Sequence, residues 1–280
     1  MAKRAWIQAA AALLQNGYLR GFGDGSLYRG PGKQFCVPGL NCYSCPGALA
    51  ACPIGALQAM AANVRFGLSF YVYGFLLLTG LIGGRLVCGF LCPFGFIQEL
   101  LYRVPLGKWR RPLPPVLRRL KYAVLLVLVI GIPTALTLTG GISFPAFCQW
   151  LCPAGTLEAG IPVALANERI RGALGWLFVW KLSVLLGLLY VAMRLFRPFC
   201  RVLCPLGAIY ALLNRLSVVH IRTESHCQGC GACRRVCGME AADPDDPECI
   251  RCGRCVTCCP TGARRWAWRR GGAPVRSGEN

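Results

Sequence analysis

The chain contains the stretch CQGCGACRRVC at residues 227–237 and the stretch CIRCGRCVTCCP at residues 249–260. Both include the cysteine spacing C-x2-C-x2-C-x3-C, and the second run is followed by Pro260. Thiolates are soft metal ligands, and a tight loop that presents three sulfurs together with a fourth from a distant turn can surround a metal cluster. The two stretches therefore predict sulfur-based metal chemistry at the carboxyl end of the chain.

This double run has the spacing of bacterial two-cluster ferredoxins, in which each run gives three thiolates to one [4Fe–4S] cluster and its fourth to the other. We therefore expect a small α+β two-cluster ferredoxin-like domain over residues 221–263. A structural zinc site is the alternative, because two C-x-x-C pairs can also hold zinc. The spare thiol of Cys258 leaves a shift of one ligand position open. The predicted ligands of the first cluster are Cys227, Cys230, Cys233 and Cys259, and those of the second are Cys249, Cys252, Cys255 and Cys237.

A second motif, C-x3-C-P, occurs three times before residue 220, as CGFLCPFG, CQWLCPAG and CRVLCPLG. Within one helical turn, positions i and i+4 share a face, so each pair is expected to offer two sulfurs to one partner. The proline after each pair can begin a new helix. Two thiolates do not complete a four-ligand site, so pairs must combine. The pairs are Cys88 with Cys92, Cys148 with Cys152, and Cys200 with Cys204.

A third group of cysteines forms an N-terminal block within residues 36–52, in the sequence CVPGLNCYSCPGALAACPIG. Four sulfurs in so short a segment favour a cluster, and disulfides are the alternative if the segment faces an oxidising compartment. The block consists of Cys36, Cys42, Cys45 and Cys52.

Long apolar stretches predict membrane spans, because about 20 apolar residues cross a hydrocarbon core of roughly 30 Å. Phe66 to Gly84, Tyr122 to Pro145 and Leu174 to Phe196 are almost free of charged residues. Ala5 to Leu19 is a weaker fourth candidate, which can also be an interfacial helix or a signal peptide. We therefore predict a mainly α membrane protein with about four transmembrane helices over residues 1–220, followed by the ferredoxin-like domain.

The distribution of charge predicts an orientation. The chain has 31 Lys plus Arg against 11 Asp plus Glu, and the segment Arg85 to Lys121 is strongly basic. By the positive-inside rule this segment is cytoplasmic, which places the ferredoxin domain in the cytoplasm as well. Cys88, Cys92, Cys200 and Cys204 then share the cytoplasmic side and provide the ligands of one cluster. The pair Cys148 and Cys152 shares the other side with the N-terminal block, where the grouping of six sulfurs stays open.

Several other chemistries find no support in the sequence. Only His220 and His226 are present, and C-x-x-C-H is absent, which argues against haem. Neither a nucleotide-binding loop nor a nucleic-acid-reading motif occurs. Glu99 and Glu158 follow their cysteine pairs and can accept a proton from a quinol, although pairing of such a carboxylate with arginine is the favoured interpretation. The remaining segment, 264–280, starts with RRWAWRR and is read as a basic aromatic tail for anionic lipid or an acidic carrier.

From Cys36 to Pro260 the motifs together resemble the NapH-type membrane polyferredoxins, and NosR-type and CcoG-type membrane iron–sulfur proteins are similar. The resemblance implies a multi-pass protein of a bacterial or archaeal inner membrane that exchanges electrons between the quinone pool, or a partner redox enzyme, and its ferredoxin domain. It implies two clusters in that domain and two or more in the membrane part. As an enzyme it would be an electron-transfer subunit, with a quinol dehydrogenase component as the candidate. The alternative, implied by the CcoG likeness, is an accessory protein that matures or regulates another metalloenzyme.

Overall fold

The computed structural model describes residues 2–63, 70–109, 112–241 and 243–269. The described chain is mainly helical, as predicted, and ends in a small sheet. Residues 66–69 of the first predicted span, residues 110–111 of the basic segment and residues 270–280 of the tail lie outside the described residues. The helices up to residue 101 are α1 (Ala2–Gln15), α2 (Arg20–Asp24), a 3-10 turn (Pro31–Gln34), α3 (Pro53–Ala62), α4 (Phe70–Gly83), α5 (Leu86–Phe90) and α6 (Pro93–Leu101).

The second half of the helical part contains two long helices and several short ones. The first long helix runs from Pro115 to Leu138 and contains a π-helical segment in its middle. The segments are α7 (Pro115–Val124), π (Leu125–Gly131), α8 (Ile132–Leu138), α9 (Ala146–Trp150), α10 (Pro153–Gly155), π (Thr156–Gly160), α11 (Ile161–Ala166), α12 (Glu168–Gly172), α13 (Trp176–Arg194), α14 (Pro198–Val202) and α15 (Pro205–Leu213).

Two helices among the described residues are long and apolar enough to cross a membrane, namely Pro115–Leu138 and Trp176–Arg194. Less than a third of the most apolar window of each is buried, at 28% and 17%, so most of their apolar surface faces outward. The shorter α4 is also apolar. A count of four spans stays a prediction, because α1 and the described part of α4 are each 14 residues long.

Helix α1 packs against the helical domain through its polar side chains. The side chain of Gln8 donates to the carbonyl of Gly89 at 3.0 Å, and that of Gln15 donates to the carbonyl of Leu91 at 2.7 Å. Arg4 forms an ion pair with Glu99 of α6. These contacts attach α1 to the turn between α5 and α6, which contains the first C-x3-C-P pair.

The carboxyl-terminal unit is small and carries both α and β structure. Strand β1 (Val219–Thr223) pairs antiparallel with β2 (Arg264–Trp268), with Ile221 opposite Trp266. Two one-turn helices lie between them, α16 (Ala232–Arg235) and α17 (Arg254–Thr257). The sheet thus joins both ends of the predicted 221–263 segment, while the domain boundaries and a ferredoxin-like topology stay predictions.

Buried ion pairs and arginine hydrogen bonds fasten this unit to the helices. Arg251 is fully buried and donates to the hydroxyl of Ser217 and to the carbonyls of Val219 and Asn214. Arg85 of the helical part pairs with Glu248 at 2.8 Å. The carboxyl-terminal cysteines are therefore held against the helical domain.

Candidate iron–sulfur centres

The first helical site consists of four cysteines from two C-x3-C-P pairs. All four are buried, with at most 7% of each residue exposed. Burial raises the pKa of Cys92 and of Cys204, and the neighbouring thiols of the group raise both further. The structure thus brings together the two pairs that the sequence predicts to combine. The members are Cys88, Cys92, Cys200 and Cys204.

Each pair spans a break between two short helices, and not one continuous turn. Cys88 lies within α5, whereas Cys92 precedes α6 in an extended conformation, with Pro93 as the first helical residue. The expectation that i and i+4 share a single helical turn is therefore wrong. The expectation that the proline begins a new helix is confirmed.

The sulfurs of the first helical site accept N–H hydrogen bonds. The backbone amide of Gly95 donates to Cys92 Sγ at 3.4 Å, and that of Gly207 donates to Cys204 Sγ at 3.3 Å. The side chain of Gln98, which is fully buried, donates to Cys200 Sγ at 3.3 Å. Such donors stabilise sulfur in its charged, ligating form.

An excess of buried positive charge surrounds the same site. Three carboxylates there are each shared by two cations, which leaves three positive charges without a carboxylate in these groups. The pairs are Glu99 with Arg4 and Arg197, Glu248 with Arg85 and Lys121, and Glu240 with Arg118 and Arg201. Buried charge is costly unless it is compensated. A [4Fe–4S] cluster with four thiolates carries about −2 when oxidised and suits this environment.

The arginines also touch the backbone of the cysteine pairs. Arg197 donates to the carbonyl of Cys88, and Arg85 donates to the carbonyl of Cys200 at 2.8 Å. Arg197 adopts a left-handed conformation, with φ of 50°, which is costly for a residue other than glycine. Its two buried partners, Cys88 and Glu99, hold it in this conformation.

Four more cysteines meet in a second helical site. It combines the third C-x3-C-P pair with two residues of the N-terminal block. Burial raises the pKa of Cys52 to about 12 and that of Cys148 to about 11, and neighbouring thiols of the group add to both shifts. The members are Cys42, Cys52, Cys148 and Cys152.

A cavity of about 900 Å³ adjoins the second helical site. Its lining is mostly apolar and includes the four cysteines of that site, Cys36, Tyr71 and Lys181. Pockets for small organic ligands usually measure about 300–1,000 Å³. Glu158 is linked to the cavity wall through Cys42, whose backbone amide donates to Oε2 at 2.7 Å, and burial raises the pKa of Glu158 to about 8.

One short loop separates the two helical sites. The backbone amide of Leu40 interacts with the thiol of Cys92 of the first site, while that of Asn41 interacts with the thiol of Cys52 of the second. Asn41 directly precedes Cys42. The two sites are therefore neighbours, and their assignment to opposite membrane sides stays a prediction.

Four carboxyl-terminal cysteines, those of the predicted second set, lie near one another. Burial raises the pKa of Cys249 to about 12, and Cys252, Cys237 and Cys255 raise it further, which matches the predicted second ferredoxin cluster. Cys227 and Cys230 of the first set are exposed.

The last ligand of the first ferredoxin set stays open between two neighbouring residues. Hydrogen bonds from Thr261 and nearby backbone amides lower the pKa of Cys259 to about 7. The neighbouring Cys258 interacts electrostatically with Cys233 and Cys230. The thiols of Cys258 and Cys259 therefore both lie at the end of the carboxyl-terminal unit where the first ferredoxin set is predicted.

The first helical site directly adjoins the second ferredoxin set. A Cβ atom added to Gly89 of α5 would overlap the carbonyl oxygen of Ile250 and lie 3.9 Å from Cys252 Cα. The loop that carries Cys249 and Cys252 thus packs onto the backbone beside Cys88.

Among the described residues, no three Cys, His, Asp or Glu side chains converge tightly enough to hold a single metal ion.

The comparisons identify the family. The profile of a 4Fe-4S binding domain matches residues 64–112, 122–161 and 174–224, which together make up half of the chain. The chain belongs to this 4Fe-4S binding domain family. Each matched stretch contains one of the three C-x3-C-P pairs, so the family match falls on the helical part of the chain.

The relatives of the 4Fe-4S protein include ferredoxin-type proteins. An uncharacterised protein of Methanocaldococcus jannaschii is 28% identical over 194 residues, which are 67% of this chain and 74% of that protein. The methylamine utilization ferredoxin-type protein MauN of Paracoccus denitrificans is 32% identical over 68% of this chain and 57% of MauN. The ferredoxin-type protein NapH of Haemophilus influenzae is 24% identical over 58% of this chain and 50% of NapH.

The match with NapH confirms the predicted resemblance, although the 4Fe-4S protein covers less than two thirds of MauN and of NapH. No solved structure matches the chain.

Proposed function

We propose that this 4Fe-4S protein is a membrane-bound electron carrier that transfers electrons between the quinone pool, or a partner redox enzyme, and its carboxyl-terminal clusters. The observation that carries the proposal is the contact between Gly89 and the loop of Ile250 and Cys252. It joins a buried cysteine site in the helical part to the ferredoxin-type runs by direct backbone packing. Electrons that reach the first helical site then have a short route outward.

The entry side of this route is the cavity beside the second helical site. Its apolar lining and volume of about 900 Å³ suit the ring of a quinol. The outward-facing apolar surface of Pro115–Leu138 and Trp176–Arg194 suits a membrane, where quinols dissolve. Lipid is therefore the expected environment and a quinol the expected donor or acceptor.

The exit side is the first ferredoxin set. Cys227 and Cys230 are exposed, whereas all four cysteines of the first helical site are buried. A cluster at the exposed set is accessible to a partner protein, and Arg234 and Arg235 lie nearby in the sequence. An acidic redox partner suits this surface.

The test is reduction of purified protein in lipid by a menaquinol or ubiquinol analogue, followed by electron paramagnetic resonance. We expect the carboxyl-terminal clusters to be reduced in the natural protein. Replacement of Cys88 and Cys200 by serine should abolish their reduction by quinol and preserve their reduction by dithionite, which shows that they are assembled.

Equal quinol reduction in the variant would contradict the proposal. Clusters that do not respond to any quinol, combined with failed maturation of a partner enzyme in a deletion strain, would favour the accessory role instead.

A further inference from the structure

Two segments of the helical part, far apart in sequence, form the same local structure around cysteine. In both, a cysteine precedes a proline that begins a helix, and a glutamine follows six residues after the cysteine. The segments are Cys52–Pro53 with Gln58 on α3, and Cys92–Pro93 with Gln98 on α6. Both glutamines are fully buried.

The two glutamines make the same pair of hydrogen bonds. Gln98 donates to Cys200 Sγ at 3.3 Å and accepts the backbone amide of Phe199 at 3.1 Å. Gln58 donates to Cys148 Sγ at 3.0 Å and accepts the backbone amide of Phe147 at 3.0 Å. The relation of Cys52 to Cys148 thus repeats the relation of Cys92 to Cys200.

The second cysteine of the facing pair repeats as well. Cys152 Sγ accepts the amide of Gly155 at 3.3 Å, as Cys204 Sγ accepts that of Gly207 at 3.3 Å. Six residues after Cys204, the hydroxyl of Tyr210 donates to the carbonyl of Pro38 at 2.9 Å.

Glu158, six residues after Cys152, accepts the amide of Cys42, which follows Pro38 by four residues in the same loop. Three of the four ligand positions of the first helical site therefore have a counterpart in the second.

The fourth position of the second site is taken by Cys42. A Cβ atom added to Gly155 would lie 3.6 Å from Cys152 Sγ and 3.7 Å from Cys42 Sγ, so both sulfurs face the same backbone position. Cys42 occurs in a loop outside the stretches that match the family profile. We propose that Cys42, Cys52, Cys148 and Cys152 bind a second [4Fe–4S] cluster in the helical domain, next to the one at the first helical site. This deepens the proposed function, on which it rests.

The other two cysteines of the N-terminal block are not ligands of this cluster. Cys45 is absent from the described lining of the cavity, and its thiol donates to the side-chain oxygen of Asn16 at 3.6 Å. Cys36 lies on the cavity wall, in an isolated β-bridge with Ala51. Its backbone amide is held by the hydroxyl of Tyr71 at 3.1 Å.

The second helical site contains a buried carboxylate oxygen, which belongs to Glu158. Oε1 of Glu158 is buried and has no hydrogen-bond partner among the described residues. The equivalent Tyr210 of the first site is hydrogen-bonded to Pro38 and to Thr79. Glu158 thus holds the loop at Cys42 in the second site as Tyr210 holds the same loop at Pro38 in the first.

The proposal is tested first by iron and sulfide analysis of the natural protein. Two helical clusters and two ferredoxin clusters predict about 16 irons per chain. A value of about 12 would overturn the proposal while leaving the electron-carrier function intact, because the route through the first helical site needs only three clusters.

Serine variants then assign the ligands, with Cys36→Ser and Cys45→Ser as matched controls. We expect Cys42→Ser and Cys148→Ser each to lose about four irons and one paramagnetic signal, and both controls to retain them. The signals of the other three clusters report that each variant is folded. Loss of the same signal in Cys36→Ser or Cys45→Ser, with retention in Cys42→Ser, would overturn the assignment. Quinol reduction is measured separately, so failure of the two proposals can be told apart.

Discussion

At the scale of single residues, the buried glutamines Gln58 and Gln98 are expected to set the potentials of the two helical clusters. Each donates an N–H to a cysteine sulfur. Hydrogen bonds to sulfur stabilise the more negative, reduced cluster and raise its reduction potential. We predict that Gln98→Leu lowers the potential of the first helical cluster by on the order of 60 mV, the equivalent of about 1.4 kcal/mol for one electron. A redox titration followed by electron paramagnetic resonance measures it.

The reciprocal variant is the control for this prediction. Gln58→Leu should lower the potential of the second helical cluster and leave the first unchanged. A variant that shifts both potentials equally would show a general packing defect instead of a specific hydrogen bond.

A second residue-scale prediction concerns Glu99, whose side chain pairs with Arg4 and Arg197. Its pairing with arginine, the interpretation favoured from the sequence, is confirmed. Glu99→Gln would leave Arg197 buried without its carboxylate, which typically costs about 3–5 kcal/mol. We expect a clearly lower unfolding midpoint in detergent, with unchanged quinol reduction per folded molecule.

Glu168→Gln is the matched control, because the ion pair of Glu168 with Arg171 at 3.5 Å is largely exposed and such pairs contribute little. Normal stability of Glu99→Gln together with lost quinol reduction would instead make Glu99 the proton acceptor.

The residue scale also shows where sequence reasoning stops. Cysteine spacing predicts ligands because the spacing itself is the signal. Gln58 and Gln98 carry no such signal, since their partners Cys148 and Cys200 are distant in sequence. The interval Cys-Pro-x4-Gln occurs at both glutamines. This interval is the sequence pattern that could have identified them, although cysteine spacing alone does not.

At the scale of elements, the helix break inside each C-x3-C-P pair explains the motif. The leucine between the two helices of each pair ends the first, and proline begins the second, as at Leu91 and Pro93. The break frees backbone amides that then point at sulfur. Helical periodicity predicts one continuous turn over each cysteine pair, because it does not account for the new helix that the proline begins.

Packing between elements also explains Gly238, which follows Cys237 at the position where ferredoxin runs usually carry proline. A Cβ atom there would lie 2.7 Å from the ring of Phe196, which is two residues beyond the end of the long helix α13. The departure from the pattern is therefore a packing requirement between the carboxyl-terminal unit and the helices. The sequence alone shows the departure but not its cause, because Phe196 is distant from Gly238 in the chain.

A prediction at this scale concerns the contact of α5 with the ferredoxin unit. Gly89→Ala would force Ile250 and its loop away from the first helical site. We expect full iron content, a stability loss of about 1–3 kcal/mol from overpacking, and several-fold slower reduction of the carboxyl-terminal clusters by quinol in stopped-flow measurements. Gly187→Ala in α13 is the control, because nothing lies within 4 Å of a Cβ atom there. Unchanged kinetics in Gly89→Ala would remove this contact from the route.

At the scale of the whole molecule, the sequence predicts the parts better than their arrangement. The helical class, the paired cysteine sites and the carboxyl-terminal α+β unit follow from local patterns. The position of the loop that carries Leu40 and Asn41 between the two sites does not follow from local patterns, because hydropathy places the N-terminal block outside the membrane. Only the packed structure shows the loop against Cys92 and Cys52.

The charge distribution over the whole molecule predicts the direction of electron flow. Around the first helical site, six cations share three carboxylates, and the side chains of Arg85, Arg197 and Arg201 are at most 1% exposed.

The second helical site has Glu158 beside Cys42, and its lysines, Lys33 and Lys181, are partly exposed and so screened by solvent. Since each added electron makes a cluster more negative, buried positive charge favours the reduced state. We therefore expect the potential of the first helical cluster to lie above that of the second, by on the order of 60 mV or more. Redox titration of the natural protein and of Cys148→Ser, which removes the second signal, assigns the two values. The opposite order would mean that electrons run from the ferredoxin unit toward the quinone cavity; the expected order drives them from the cavity through both helical clusters to the exposed Cys227 and Cys230.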